Sequence, residues 1–310
     1  MTANVLSGVF APVLTPFKKN LSVDKLAYLN FCKWLLSNKV GLAIFGTNSE
    51  ANSLSLSERI NLLEFLVAKG IPPSRLVPGN GACAFPDSVA LTKVALDLGA
   101  PAVLMLPPFF FKGVSEDGVF AAYAEVIERV ANPKLKVLLY NIPKLSGVPL
   151  TLPLIKRLAE RYPETVVGLK DSSGDTAYTL NVMQALPKFH VFCASESLLL
   201  ETMRNGGAGC ISACANFNPA AIVKLYENWN GPQAESLQAA VNPVRSIIES
   251  RPMIAALKAA TAVFAKHANF AVVRPPLHGF DANGKAELLQ ALNGESFAMP
   301  GLSDQLKLIA

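Results

Sequence analysis

The 310-residue sequence predicts a single α/β domain type, a (β/α)8 TIM barrel carrying a C-terminal helical domain. Three observations predict it. Short apolar runs of β-forming residues recur as far as Ile211, each followed by a helix-like segment. Runs such as Val137-Leu138-Leu139 and Val166-Val167-Gly168-Leu169 are continuously apolar, as parallel strands covered on both faces must be. Beyond Ile211 the patterning is helical, with no strand signal.

Taken in order, the strands end near Leu14, Phe45, Pro78, Leu106, Tyr140, Leu169, Cys193 and Ile211, which makes eight βα units. An open doubly wound sheet is the alternative, and eight uninterrupted units count against it. Ser22 is positioned to open the first helix, through Leu36. Ser55-x-x-Glu58 reads as a capping box, with Gly70 and Pro72 ending that helix. Thr151 with Pro153 opens another. Helices come next around Glu235–Glu249, Met253–His267 and Lys285–Leu292, then a polar tail. The expected division is a catalytic barrel over residues 1–230 and a helical extension over 231–310.

Composition narrows the function classes. At 51% hydrophobic and 16% charged, the chain has ample material for a core and is not a disordered polymer. The longest charge-free stretch, Asn205 to Val223, carries three Asn, three Gly and one Pro, so it predicts no membrane span. The net charge of +5 is scattered, its densest basic run being Lys18-Lys19, which is no nucleic-acid footprint. Five cysteines without CxxC spacing, and a start lacking a basic n-region, lead us to expect a cytoplasmic protein with reduced thiols. The three His are dispersed without ligand spacing, so no metal site is expected; neither GxSxG nor a Walker GK[ST] occurs. Gly79-x-Gly81-x-x-Ala84 loosely matches a dinucleotide loop but reads as a plain turn, since Pro86 comes two residues after it and no well-placed acid lies downstream.

Barrel active sites lie just past the strand ends, so the residues there carry the chemistry. Period-two alternation through Val166, Gly168 and Lys170 places an amine at the top of an apolar well, with Gly168 leaving space below. Desolvation disfavours the ammonium form and favours attack on a carbonyl carbon. A lysine that snorkels out of the strand end is the other reading. Tyr140, on the face of Leu138 in the neighbouring strand, offers a phenol for proton transfer, or else a buried aromatic with a satisfied hydroxyl. The Gly46 to Glu50 turn offers the Thr47 hydroxyl, the Asn48 amide and backbone N–H groups, an inventory that suits a carboxylate.

Four motifs in order complete the picture: Leu14-Thr15-Pro16-Phe17, the Gly-Thr-x-x-Glu turn, Tyr140-Asn141-Ile142-Pro143, and Gly168-Leu169-Lys170-Asp171-Ser172-Ser173-Gly174-Asp175. Together they resemble the dihydrodipicolinate synthase / N-acetylneuraminate lyase family, from about Gly8 to Arg274-Pro275-Pro276-Leu277. The resemblance implies a class I aldolase or lyase, a homotetramer or homodimer, needing no cofactor. Lys170 would form a Schiff base with pyruvate or another 2-oxo acid, and Tyr140 would shuttle protons. Thr47, Asn48 and Ser49 would hold the carboxylate, Ser172 and Ile211 would line the pocket, and Glu196 would meet substrate hydroxyls.

Departures narrow the activity. Synthases of the family place an arginine two residues after the proline of the tyrosine motif; here that position is Leu145, a pattern closer to sugar-acid aldolases. Where the family lends a tyrosine between subunits, this chain has Phe109-Phe110-Phe111, which suits an apolar aldehyde, core packing or an interface. Ser49 replaces a family glycine and would be strained if its φ were positive. The expected function is cleavage or formation of a C–C bond in a 2-oxo acid, foremost a 2-oxo-3-deoxy sugar acid, with an aldehyde as second partner. The alternatives are a dihydrodipicolinate synthase, a 2-oxo acid dehydratase or deaminase, and a non-catalytic 2-oxo acid-binding barrel.

Overall fold

The computed structural model describes residues 6–308. Seven strands form one parallel sheet: β1 Gly8–Ala11, β2 Gly41–Leu42, β3 Val103–Met105, β4 Val137–Asn141, β5 Val166–Asp171, β6 His190–Cys193 and β7 Gly209–Ile211. Their order is β2-β1-β7-β6-β5-β4-β3, every pair hydrogen-bonded in parallel. The eighth stave is extended chain from Leu76 to Gly79 between β2 and β3, bridging Leu42 on one side and Leu104 on the other. Val77 N–H donates to Leu42 O at 2.9 Å, Gly79 N–H to Ile44 O at 2.7 Å, and Leu104 N–H to Pro78 O at 2.9 Å. Pro78 has no N–H to donate, so this stave closes the barrel without a full ladder. The eight predicted staves are all present.

Alternation sorts the strand side chains into two layers. Phe10, Ala43, Val77, Leu104, Leu138, Phe192 and Ile211 fill the barrel interior. Val9, Val103, Leu139, Leu169, Val191 and Cys210 face outward, where helices cover them. Phe10 meets Phe192 edge to face at 5.8 Å and 89°. Gly41 is what admits the Phe10 ring: a Cβ there would fall 2.3 Å from Phe10 Cε1.

One expected alternation is corrected. The β4–β5 ladder pairs Val137 with Val166 but Leu138 with Gly168, a bulge at Val167. Val166 therefore joins the outer layer and Val167 turns toward the interior, while Gly168 and Lys170 keep the inward face. Gly168 leaves no open space either. A Cβ on it would come within 2.4 Å of His190 O and 2.6 Å of Leu138 Cδ2, so the glycine accommodates its neighbours.

The first helix begins at Lys25, capped by Asp24, whose Oδ1 accepts from Ala27 N–H at 3.1 Å; Ser22 instead bonds Asn20. The Ser55–Glu58 capping box and the Thr151 cap are as the sequence predicts. Helices Ala234–Glu249, Met253–Phe264 and Ala282–Gly294 come after the barrel, and the expected polar tail forms a further helix, Leu302–Lys307. Leu302 and Leu306 are buried there, and Trp34 Nε1 donates to Pro300 O at 3.0 Å. No helix among the described residues is long and apolar enough to cross a membrane.

Gly168→Ala is expected to destabilise the fold by about 1–3 kcal/mol through overpacking, read as a lower urea midpoint. An unchanged midpoint would contradict the close β5–β6 approach.

Candidate active site

Strand register assembles the site. In the β4–β5 ladder Tyr140 lies opposite Lys170, and Asn141 opposite Asp171. Both members of the first pair are buried, and Lys170 Nζ lies over the Tyr140 ring, 4.2 Å from its centroid. Lys170 is thus held in the barrel and does not snorkel. The Tyr140 hydroxyl shares a 3.0 Å hydrogen bond with Thr47 Oγ1. The sequence offers Thr47 to a carboxylate; in the fold its hydroxyl is engaged by the phenol. Asp171 accepts from Asn141 Nδ2 at 2.8 Å, Ser173 N–H at 3.1 Å, Ser173 Oγ at 2.7 Å and Thr179 Oγ1 at 2.7 Å. That saturated carboxylate fixes the Ser172–Gly174 loop above Lys170.

The turn after β2 is built around two left-handed residues, Phe45 at φ +60° and Glu50 at φ +55°. Ser49 is not left-handed, so the strain anticipated for it is absent. Its hydroxyl accepts from Gly46 N–H at 3.2 Å and its carbonyl accepts from Thr15 Oγ1 at 2.7 Å, which closes the turn from within.

The turn is latched from behind by buried charge. Glu50 pairs with Lys258, both side chains fully buried, and accepts from Arg274 N–H at 3.0 Å. Lys258 also donates to Thr15 O at 2.8 Å and lies over Phe17, 4.4 Å from the ring centroid. Burial brings its amine down to about 8 from the usual 10.5, with Glu50 opposing the shift. Arg274 reaches on to Glu58, and that pairing holds the Glu58 carboxyl down to about 2. The network joins the Gly46–Glu50 turn to helix Met253–Phe264 and to Arg274.

Above these groups opens a cavity of about 690 Å³. Lys170, Tyr140, Thr47, Asn48, Ser172 and Ile211 all line it. Ser49 and Glu196 are not on its wall. Glu196 is buried, not at the surface; its carboxylate accepts from Ser212 Oγ and lies 3.6 Å from Arg245 Nη1. Phe110 and Phe111 lie outside the cavity wall and are 70% and 67% exposed, so in the single chain they are neither core nor pocket.

Sequence reasoning missed Arg245 and Lys258. For Lys258 a signal existed: it is the one charge in the otherwise uncharged helix Met253–Phe264. Arg245 offered only an i,i+4 pairing with Glu249.

A family model described as the Dihydrodipicolinate synthetase family matches residues 5–294. An uncharacterized DapA-like lyase of Chloroflexus aurantiacus is 30% identical over 256 residues, spanning 82% of this chain and 85% of the relative. The crystal structure of dihydrodipicolinate synthase from Agrobacterium tumefaciens superposes with TM-score 0.86 at 29% identity, covering 93% of this chain and 98% of that one. A prophage protein of the dihydrodipicolinic acid synthase family from E. coli K12, solved in complex with pyruvate, gives TM-score 0.85 at 26% identity over 94% and 99%. Barrel, mouth and likenesses together define a lyase built on the class I aldolase fold. The chain belongs to the dihydrodipicolinate synthetase family.

Two outcomes test the latch. Lys258→Met leaves Glu50 buried without its cation and is expected to cost about 3–5 kcal/mol in chemical denaturation. Because the folded Glu58 carboxyl lies at about 2 against an ordinary 4.5, its contribution is complete above 4.5 and is lost as pH falls toward 2. Glu58→Gln is therefore expected to flatten the decline of stability below pH 4.5, measured by urea unfolding across that range. Identical acid slopes would contradict the Arg274 pairing.

Proposed function

We propose that this chain is a Schiff-base lyase that breaks or forms the C–C bond adjoining the pyruvate unit of a 2-oxo acid. The observation that supports it most is the buried amine of Lys170 set against the Tyr140 phenol, whose hydroxyl meets Thr47. Pyruvate as the 2-oxo acid is supported by the related prophage protein that was solved with it.

The work is divided among the residues that line the cavity. The Lys170 amine attacks the C2 carbonyl, and loss of water leaves a protonated imine. Tyr140, hydrogen-bonded to Thr47, gives its proton to the hydroxyl that leaves as water when the imine forms, and the phenolate left behind accepts the proton of the substrate's C4 hydroxyl. The C3–C4 bond breaks, its electron pair flowing into the imine as an enamine, and the C4 fragment leaves as an aldehyde. Protonation at C3 and hydrolysis then release pyruvate and free Lys170. Asn48, the backbone N–H groups of its turn and Ser172 receive the carboxylate, and Ile211 supplies an apolar wall. The iminium carries the electron sink, so the chain supplies the chemistry without a cofactor.

The lining disfavours the synthase alternative: Leu145, where an arginine would hold a carboxylated aldehyde, stands at the cavity wall as a hydrocarbon. A 2-oxo-3-deoxy sugar acid, the class favoured by Leu145, would use Glu196 for its hydroxyls, and that carboxylate is engaged by Ser212 and Arg245. We assign the exposed Phe110 and Phe111 to contact between copies of the chain, in keeping with a homotetramer or homodimer. Free thiols at the described cysteines support a cytoplasmic setting.

The test is product analysis with a panel of 4-hydroxy-2-oxo acids. Pyruvate and an aldehyde are expected from wild type, about 10²–10⁴-fold slower from Tyr140→Phe, and not at all from Lys170→Ala. Loss of water with the skeleton intact would establish the dehydratase reading instead, and loss of ammonia from an amino-substituted 2-oxo acid added to the panel the deaminase reading. Binding that persists in Lys170→Ala without any turnover would establish the non-catalytic barrel.

A further inference from the structure

We infer that Glu50 is a positioning residue: paired with Lys258, it sets Thr47 where the threonine hydroxyl meets Tyr140. This deepens the Schiff-base reading and rests on it.

Two costs meet at Glu50. Its backbone is left-handed, at φ +55°, a conformation open to glycine and strained for a residue with a side chain. Its carboxylate is fully buried against the Lys258 ammonium. A buried ion pair is a poor source of stability, since well-packed hydrocarbon of similar volume serves as well or better. A glycine at position 50 facing an apolar residue at 258 would avoid both costs. Strain and buried charge in one residue, at the edge of a cavity, point to a task other than folding.

The contacts of Glu50 identify that task. It ends the short 3-10 turn Thr47–Ser49 and opens the next, Ala51–Ser53. Its N–H donates to Thr47 O at 3.0 Å, so the two residues are joined directly. Both carboxylate oxygens are taken, Oε1 by Lys258 Nζ and Oε2 by Arg274 N–H at 3.0 Å. Lys258 Nζ also donates to Thr15 O at 2.8 Å, and Thr15 Oγ1 to Ser49 O at 2.7 Å, which closes a ring behind the turn. At the front of the turn the Thr47 hydroxyl lies 3.0 Å from the Tyr140 hydroxyl. Thr47 lines the cavity and Glu50 does not, so Glu50 acts through Thr47 and not on substrate.

The anchor is specific to a carboxylate. Both of its oxygens face donors, so an amide in its place turns an NH2 group toward one of them. The turn then keeps one of its two anchors, and Thr47 moves with it. A misplacement of about 1 Å at a proton-transferring pair costs about 10²-fold in rate.

The test is exchange of the C3 hydrogens of pyruvate for deuterium in D2O, which needs no aldehyde. The imine forms at Lys170 with loss of water, C3 gives up a proton to leave the enamine, a deuteron returns to C3, and hydrolysis releases the labelled pyruvate. Glu50→Gln is expected to slow exchange about 10²-fold at saturating pyruvate. Thr47→Val, which deletes the hydroxyl itself, is expected to slow it to a similar extent. The double variant Glu50→Gln/Thr47→Val is expected to be no slower than Thr47→Val alone. Losses that multiply, or wild-type exchange in a folded Glu50→Gln protein, would overturn the inference. Glu50→Gln/Lys258→Met removes both buried charges, and its urea midpoint is expected to exceed that of Lys258→Met while exchange stays about 10²-fold slow. Exchange that recovers together with stability would assign Glu50 to folding alone and overturn the inference. Borohydride capture of pyruvate by wild type, run in parallel, separates the two levels. Capture with exchange unmoved by Glu50→Gln refutes the role of Glu50 alone, whereas no capture refutes the Schiff-base reading beneath it.

Discussion

The parallel ladder between β4 and β5 is the constraint on which the site depends. In that ladder Tyr140 and Lys170 occupy opposed positions and both point inward, so the amine and the phenol ring meet at 4.2 Å. A slip of one residue in either strand would send one of them out among the helices. The bulge at Val167 makes this register possible, because it resets the alternation just below Gly168. Gly168 then admits His190 and Leu138 at distances no side chain would permit. Three elements of backbone geometry, none of them chemically reactive, therefore fix the pair proposed to react.

Around that pair the protein arranges charge in two buried clusters with different tasks. Behind the mouth, Glu50, Lys258, Arg274 and Glu58 tie the β2 turn to elements more than 200 residues away in the chain. Thr47 reaches Tyr140 from that turn, so the latch bears on the hydroxyl proposed to move protons. Beside the mouth, Arg245 lies between Glu196 and Glu249. The first cluster holds the turn; the second sets a helix that comes after the barrel against Glu196.

Most of the fold was legible in the sequence because parallel barrels repeat one unit, and each unit carries its own apolar run and helix cap. The stave at Pro78 was legible as a strand although it forms only isolated bridges, since its apolar pattern reports burial and not hydrogen bonding. The bulge was not legible: Val166 and Val167 are the same residue, and nothing local says which turns inward. Lys170, Tyr140, Thr47 and Asn48 could be found because each lies at or just past a strand end. The neighbours of Glu196 could not, because Arg245 comes from a distant helix and meets it only through tertiary packing. Ser49 looked strained by comparison with a glycine, yet the left-handed position is Glu50, one residue later, held by a buried ion pair.

The central claim is that Lys170 carries the imine. Its most direct measurement is the intact mass of the protein after incubation with pyruvate and borohydride, with peptide mapping of any adduct. One reduced-pyruvate group on Lys170, absent from a folded Lys170→Ala protein, is the predicted result. An adduct on another lysine, or an equal adduct in the variant, would contradict the account.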